Sequence, residues 1–161
     1  MTSTSKKIQL RKTTETDLET LFEFQLDEEG IYLAAFTSKD PSDKDYYMER
    51  QKRFLKDKTI NAQTIFYDDE IAGSIAKFEI DGEPELTYWI GRNYWNQGIA
   101  TFALQEFLKT EAVRPIMGRT AFDNIGSQRV MEKCGFKKTG TDKGFANGRG
   151  KETEEFIYVL F

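Results

Sequence analysis

Apolar positions along this chain change their period, and each change marks an element. Near the N-terminus, Ile8 and Leu10 alternate with polar neighbours, the pattern of a short first strand. Leu18, Leu21, Phe22 and Leu26 then recur at helical spacing, behind Thr16 and Glu19 at the spacing of a capping box. Asp40-Pro41 opens a second helix, with Tyr47, Phe54 and Leu55 on its apolar side. Three strands follow in quick succession, at residues 59–67, 71–80 and 85–90. The breaks between them, Asp68-Asp69-Glu70 and Asp81-Gly82-Glu83-Pro84, are hairpin-sized, so the three are expected to form an antiparallel meander.

The second half returns to a helical period. Ala103, Leu104, Phe107 and Leu108 predict a helix over about residues 100–111, free to pack against the sheet. Pro115 closes it, and residues 116–121 read as a strand parallel to the one before the helix. A helix beginning at Asn124 comes next. The chain ends with a strand at residues 136–139 and another around residues 155–161, joined through a Gly-rich loop from Gly144 to Gly150. No internal repeat or low-complexity tract interrupts this order, so residues 1–161 are expected to form a single domain of the α/β class around a mixed sheet.

Composition narrows the chemistry. With 161 residues, 39% hydrophobic and 14% aromatic, the chain can bury a substantial core. A net charge of −4 argues against a nucleic-acid-binding surface and leans mildly toward a cationic or neutral partner. There is no His, and Cys134 is the single Cys, which excludes an internal disulfide framework, a thiolate or imidazole metal site, and Cys–His or Ser-His-Asp catalysis. Cys134 itself reads as a small buried apolar residue. The first seven residues are polar without an apolar leader, and no segment approaches the ~20 apolar residues of a membrane span. No membrane association and a cytoplasmic location are therefore expected.

Two motifs carry the functional signal. Residues 124–136, Asn-Ile-Gly-Ser-Gln-Arg-Val-Met-Glu-Lys-Cys-Gly-Phe, combine an N-cap, an amphipathic helix with Val130, Met131 and Cys134 on one face, and a left-handed glycine exit at Gly135. Residues 88–101, Tyr-Trp-Ile-Gly-Arg-Asn-Tyr-Trp-Asn-Gln-Gly-Ile-Ala-Thr, read as a strand end, a polar and aromatic loop and a helix start. Small residues there let backbone N–H groups approach an anion, which the positive end of the helix favours. Neither the P-loop nor the Gly-x-Gly-x-x-Gly signature is present.

In that order and at that spacing, the two motifs resemble the cofactor-binding motifs of the GNAT N-acetyltransferases, in particular their RimJ/RimL-like branch. Trp95 stands where the general family pattern has Arg or Gln, a departure that matches the version found in that branch. The resemblance implies the GNAT fold: a mostly antiparallel sheet with a central splayed pair of parallel strands, flanked by helices. It also implies acetyl-CoA as cosubstrate, without a metal. Its pyrophosphate would lie over Gln97, Gly98, Ile99, Ala100 and Thr101, its pantetheine arm would meet the backbone of Trp89 and Ile90, Asn124 would orient it, and Arg129 or Lys133 would neutralise phosphate charge.

Many family members place a tyrosine acid at the position held here by Met131, which donates no proton. The RimJ/RimL-like pattern offers Ser127 as donor to the departing sulfur instead. Amines are mostly protonated at neutral pH, with reference values near ~10.4 for lysine and ~8 for an α-amino group, so a base is needed. Without His it must be a carboxylate, directly or through water. Glu154, just before the last strand, is the first candidate and Glu85 the runner-up; a solvated carboxylate is the plain alternative for each. The resemblance implies a primary amine as acceptor, either a protein N-terminus or a small molecule. A catalytically silent acetyl-CoA-binding sensor is the rival reading, and a homodimer is expected by family analogy alone.

Overall fold

The computed structural model describes residues 7–161, so all but Lys7 of the polar N-terminal segment lies outside the described residues. The elements run β1 (Ile8–Lys12), α1 (Leu18–Phe24), α2 (Glu28–Ala34), α3 (Lys44–Lys56), β2 (Asn61–Tyr67), β3 (Glu70–Ile80), β4 (Glu83–Ile90), α4 (Ile99–Thr110), β5 (Ile116–Ala121), α5 (Ile125–Lys133), β6 (Lys137–Ala146) and β7 (Lys151–Leu160). The strands make one seven-stranded sheet in the order β1-β2-β3-β4-β5-β7-β6. The expected meander is there, with β2–β3 and β3–β4 antiparallel. Among the described residues only β4 and β5 run parallel.

Alternation along β4 divides the molecule into two layers. Leu86 points to the face covered by α4 and α5, where Ile99, Ala103, Leu104 and Phe107 of α4 and Met131 of α5 close the main core with Ile65, Ile75 and Ile116. Each large side chain there contributes ~2 kcal/mol relative to exposure. Trp89 points the other way, and its indole N–H donates to the Phe24 carbonyl at the end of α1, 3.1 Å away. Gly30 in α2 lies so close to that indole that a Cβ would come within 2.9 Å of the ring. The helices α1 and α2 therefore sit on the opposite face, and α3 joins them through the Phe22–Tyr47 ring contact at 5.2 Å.

Several boundaries differ from the sequence reading. The capping pair ahead of α1 is Thr14 with Asp17, whose carboxylate accepts from the Thr14 N–H at 3.0 Å. Thr16 instead bonds the Thr14 hydroxyl and Glu19 pairs with Lys44. Asp17 wins because it is buried and also accepts from the Thr64 hydroxyl at 3.0 Å, fastening the helix entry to β2. The apolar run ending at Leu26 does not stay one helix; α2 follows on its own N-cap, Asp27, which accepts from the Gly30 N–H. Asp43 rather than Asp40-Pro41 caps α3, accepting from the Tyr46 N–H. At the C-terminal end both strands are longer than expected: β6 runs on through Ala146 into the expected Gly-rich loop, β7 starts at Lys151, and a turn of residues 147–150 is left between them.

Candidate active site

The parallel ladder between β4 and β5 reduces to one bridge, Glu85 opposite Met117. Beyond it the upper half of β4 pairs only with β3, through Gly73–Ile90 and Ser74–Trp89, and the upper half of β5 only with β7. The sheet therefore carries a V-shaped cleft between Thr87–Ile90 and Gly118–Ala121, with backbone hydrogen-bonding capacity facing into it. This is the splay that the family resemblance implies. On β5, Thr120 has a buried hydroxyl with no hydrogen-bond partner among the described residues.

Above β4 the chain turns into α4 through the loop expected to receive phosphates. Trp95 donates its indole N–H to the Ile90 carbonyl at 2.8 Å, and Arg92 lies over its ring at 4.6 Å. The tryptophan thus ties the loop back to the end of β4. It also occupies the Ile90 carbonyl. Gln97 reaches back to the Asn93 carbonyl. Gly98 is the N-cap of α4 at φ +75°, and no side chain caps the helix. A Cβ on Gly98 would meet no atom within 4 Å. Glycine is used here for its left-handed backbone, and the first-turn N–H groups of Ile99, Ala100 and Thr101 have no capping side chain.

On the same face, α5 enters through Asn124. Its side-chain oxygen accepts from the Ser127 N–H at 3.2 Å while its amide donates to the Leu33 carbonyl of α2, also at 3.2 Å. Both ends of the amide are thus committed within the protein. The helix ends as expected: Gly135 stands at φ +90°, and Phe136 and Gly135 donate to the Met131 and Glu132 carbonyls, a Schellman arrangement. Met131 is buried with its sulfur and methyl against Gly118, where a Cβ would come within 2.9 Å of them. It belongs to the core rather than the cleft. Cys134, expected to be buried, is half-buried against the core, and desolvation pushes its thiol up. Arg129 is exposed on the outer side of α5.

Ser127 has a partner that the sequence did not assign. The Tyr88 phenol reaches from β4 to within 2.7 Å of the Ser127 hydroxyl. Burial pushes the phenol up to about 12, so it stays protonated at any ordinary pH. Tyr88 was legible as a face, sharing its alternation with Leu86 and Ile90, but nothing in strand period gives its partner.

The two carboxylate candidates are not brought together. Glu154 is exposed, and its side chain has no hydrogen bond or ion pair among the described residues; its carbonyl accepts from the Phe122 N–H, beside the turn that leads to Asn124. Glu85 is buried on the α2 face, bound to the Arg119 Nε at 3.0 Å. Arg119 also holds Glu155 at 2.9 Å and Asp142 at 3.4 Å. Burial pushes the Glu155 carboxyl above its ordinary value, opposed by the Arg119 hydrogen bond. This four-residue network ties β4, β5, β6 and β7 together on the α2 face of the sheet, and only Glu85 of it stood among the sequence candidates.

A family model described as an acetyltransferase (GNAT) domain matches residues 7–137. The chain belongs to the GNAT acetyltransferases. Among curated proteins, this GNAT chain is 24% identical over 99 residues to an uncharacterized N-acetyltransferase p20 of Bacillus licheniformis; the match covers 57% of this chain and 56% of that protein. Solved structures share its fold. A RimL ribosomal L7/L12 α-N-protein acetyltransferase in complex with coenzyme A has a TM-score of 0.78 at 18% identity, over 98% of this chain and 96% of the other. A spermidine N-acetyltransferase from Vibrio cholerae, in complex with CoA and spermine, has a TM-score of 0.77 at 17% identity, over 94% and 95%. A microcin C7 self-immunity acetyltransferase, MccE, in complex with acetyl-CoA and AMP, gives 0.76 at 21% identity, over 95% and 91%.

Proposed function

We propose that this chain is a single-domain, acetyl-CoA-dependent N-acetyltransferase that moves the acetyl group directly to a primary amine. The observation that carries the reading is the cleft between β4 and β5, flanked by the uncapped N-terminus of α4 and the Ser127 end of α5. The residues present fit the cosubstrate. Gly98 leaves room for a pyrophosphate at the N–H groups of residues 99–101, the cleft-facing edges of Thr87–Ile90 and Gly118–Ala121, apart from the Ile90 carbonyl that Trp95 takes, suit the amides of a pantetheine arm, and the unpartnered Thr120 hydroxyl lies on the α5 side of the cleft. Arg129 supplies positive charge on the exposed side of α5.

Acetyl transfer needs a neutral amine, a stabilised oxyanion and a path for the leaving sulfur. A backbone N–H of β4 supports the oxyanion, and Ser127 donates a hydrogen bond to the departing sulfur, with Asn124 fixing the helix entry that carries it. Glu154 accepts the amine proton, directly or through water; it is supported by its unpaired carboxylate beside the β5–α5 turn. Glu85 is the second reading, favoured by its place on the face opposite α5, from which an amine would approach acetyl in the cleft.

The acceptor is an amine of the kind named for the similar structures, a protein N-terminus or a polyamine; the chain operates in the cytoplasm. Thiol release with acetyl-CoA and a panel of N-terminal peptides, spermidine and lysine tests the activity. Turnover with at least one amine is expected; saturable acetyl-CoA binding without turnover of any amine would leave the sensor reading in its place. Glu154→Gln is expected to remove the acidic limb of the pH–rate profile. Loss of that limb in Glu85→Gln instead would transfer the role to Glu85.

A further inference from the structure

We infer that Tyr88 is a positioning residue for sulfur departure, acting through Ser127 from β4 rather than from α5, where this chain has Met131. The inference rests on the acetyltransferase reading and deepens it. With methionine at position 131 packed into the core against Gly118, α5 presents no phenol to the cleft. A phenol reaches the same helix from β4 instead. Its oxygen lies 2.7 Å from the Ser127 hydroxyl, at the cleft wall formed by the upper half of β4.

The direction of this hydrogen bond follows from chemistry. A phenol is a better donor than an aliphatic hydroxyl, so Tyr88 donates and Ser127 accepts. That leaves the Ser127 proton free to point into the cleft, because no other hydrogen bond holds the Ser127 oxygen among the described residues. Donation into a hydroxyl oxygen polarises its O–H and makes it a stronger donor in turn. When the amine nitrogen bonds to the acetyl carbon and the C–S bond breaks, the electron pair of that bond goes to sulfur. The polarised Ser127 O–H meets the growing charge, the amine proton leaves to base or water, and the thiolate is finally protonated by solvent. Tyr88 keeps its own proton throughout, in accord with a burial that makes the phenolate unfavourable.

The test compares Tyr88→Phe, Ser127→Ala and the double variant, with calorimetry for CoA affinity beside steady-state kinetics. Tyr88→Phe is expected to lower kcat about fivefold to tenfold, the size of one net hydrogen bond, with CoA affinity unchanged. The double variant is expected to lose no more than Ser127→Ala alone, since Tyr88 acts through that serine. Fluorotyrosines at position 88, which keep the shape and strengthen the donor, are expected to raise kcat above wild type while the phenol stays protonated. A Tyr88→Phe kcat within twofold of wild type, or losses that multiply in the double variant, would overturn the inference. If Ser127→Ala itself leaves kcat unchanged while the enzyme turns over, the serine role fails and Tyr88 with it; if no variant, wild type included, turns over any amine, the failure lies in the acetyltransferase reading.

Discussion

Arg149 shows how much one side chain can hold at this end of the molecule. Its side chain is 2% exposed, pairs in bidentate fashion with Asp123 at 2.8 and 3.0 Å, and lies over the Tyr32 ring at 3.9 Å. It joins the β6–β7 turn to α2 and to the turn before α5. Removing a buried charge partner costs ~3–5 kcal/mol, and because Asp123 is partly exposed we expect about 2 kcal/mol for Arg149→Met. In a chain of this size that lowers Tm by about 4–8 °C. The pH dependence has a definite sign. The Arg149 hydrogen bonds hold the Asp123 carboxyl below its ordinary 3.8, so its stabilisation is present above that value and lost as pH falls through the lower folded-state value. The Tm difference between wild type and Asp123→Asn should stay constant above about pH 5 and close under strong acid; a gap that persists there would contradict the pairing. At this scale the sequence showed what is local. Asn124 as a cap and Gly135 as a left-handed exit depend on neighbours within a few residues. The Tyr88–Ser127 and Arg119–Glu85 contacts join residues far apart in the chain, and no period encodes which of them meet.

Elements were legible wherever a run of apolar positions was long enough to show its period. The meander, α4, β5 and α5 appear close to the expected residues. Helix α2 did not, because it has seven residues and its position rests on Trp89 packing against Gly30 and on the Asp27 cap rather than on its own apolar stripe. The two strands of the β6–β7 hairpin are expected shorter than they are for a related reason: Gly144, Gly148 and Gly150 look like loop residues, yet Gly144 lies within β6 and Gly148 serves tight docking. A Cβ on Gly148 would lie 2.4 Å from the Ile31 carbonyl and 2.9 Å from that of Ala35, while Gly140 has nothing within 4 Å. Ala35 is itself buried at φ +64°, with the Phe36 N–H bonded to the Ala34 carbonyl in a strained γ-turn. Gly148→Ala should therefore destabilise by about 2 kcal/mol or more, and Gly140→Ala by no more than ~0.5 kcal/mol. Urea unfolding of the two variants checks this; equal midpoints would mean that the turn does not dock on α2 as described.

For the whole molecule, the order of elements and the parallel β4–β5 pair followed from hairpin spacings and one helical crossover. The insertion of β7 between β5 and β6 did not, since strand order at a sheet edge leaves no local mark. β7 covers one edge of β5 along Ile116–Ala121, while on the other edge β4 holds it only through the Glu85–Met117 bridge, so the cleft stands open between the two strands beyond that bridge. A ligand that fills the cleft binds the folded state alone. At a hundredfold excess over its dissociation constant, acetyl-CoA should add about 2.7 kcal/mol of stability, raising Tm by about 5–10 °C.

The most direct test of the account is calorimetric titration of acetyl-CoA into wild type and Gly98→Asp. The left-handed backbone at Gly98 carries a strain of ~1–2 kcal/mol for any other residue, and no neighbouring atom opposes the new side chain, so the variant should remain folded with a Tm a few degrees lower. Wild type should bind one acetyl-CoA per chain, and the aspartate, set against the phosphates at the mouth of α4, should weaken that binding at least ~100-fold. Equal affinity in the two proteins would contradict the placement of the cosubstrate and the function built on it.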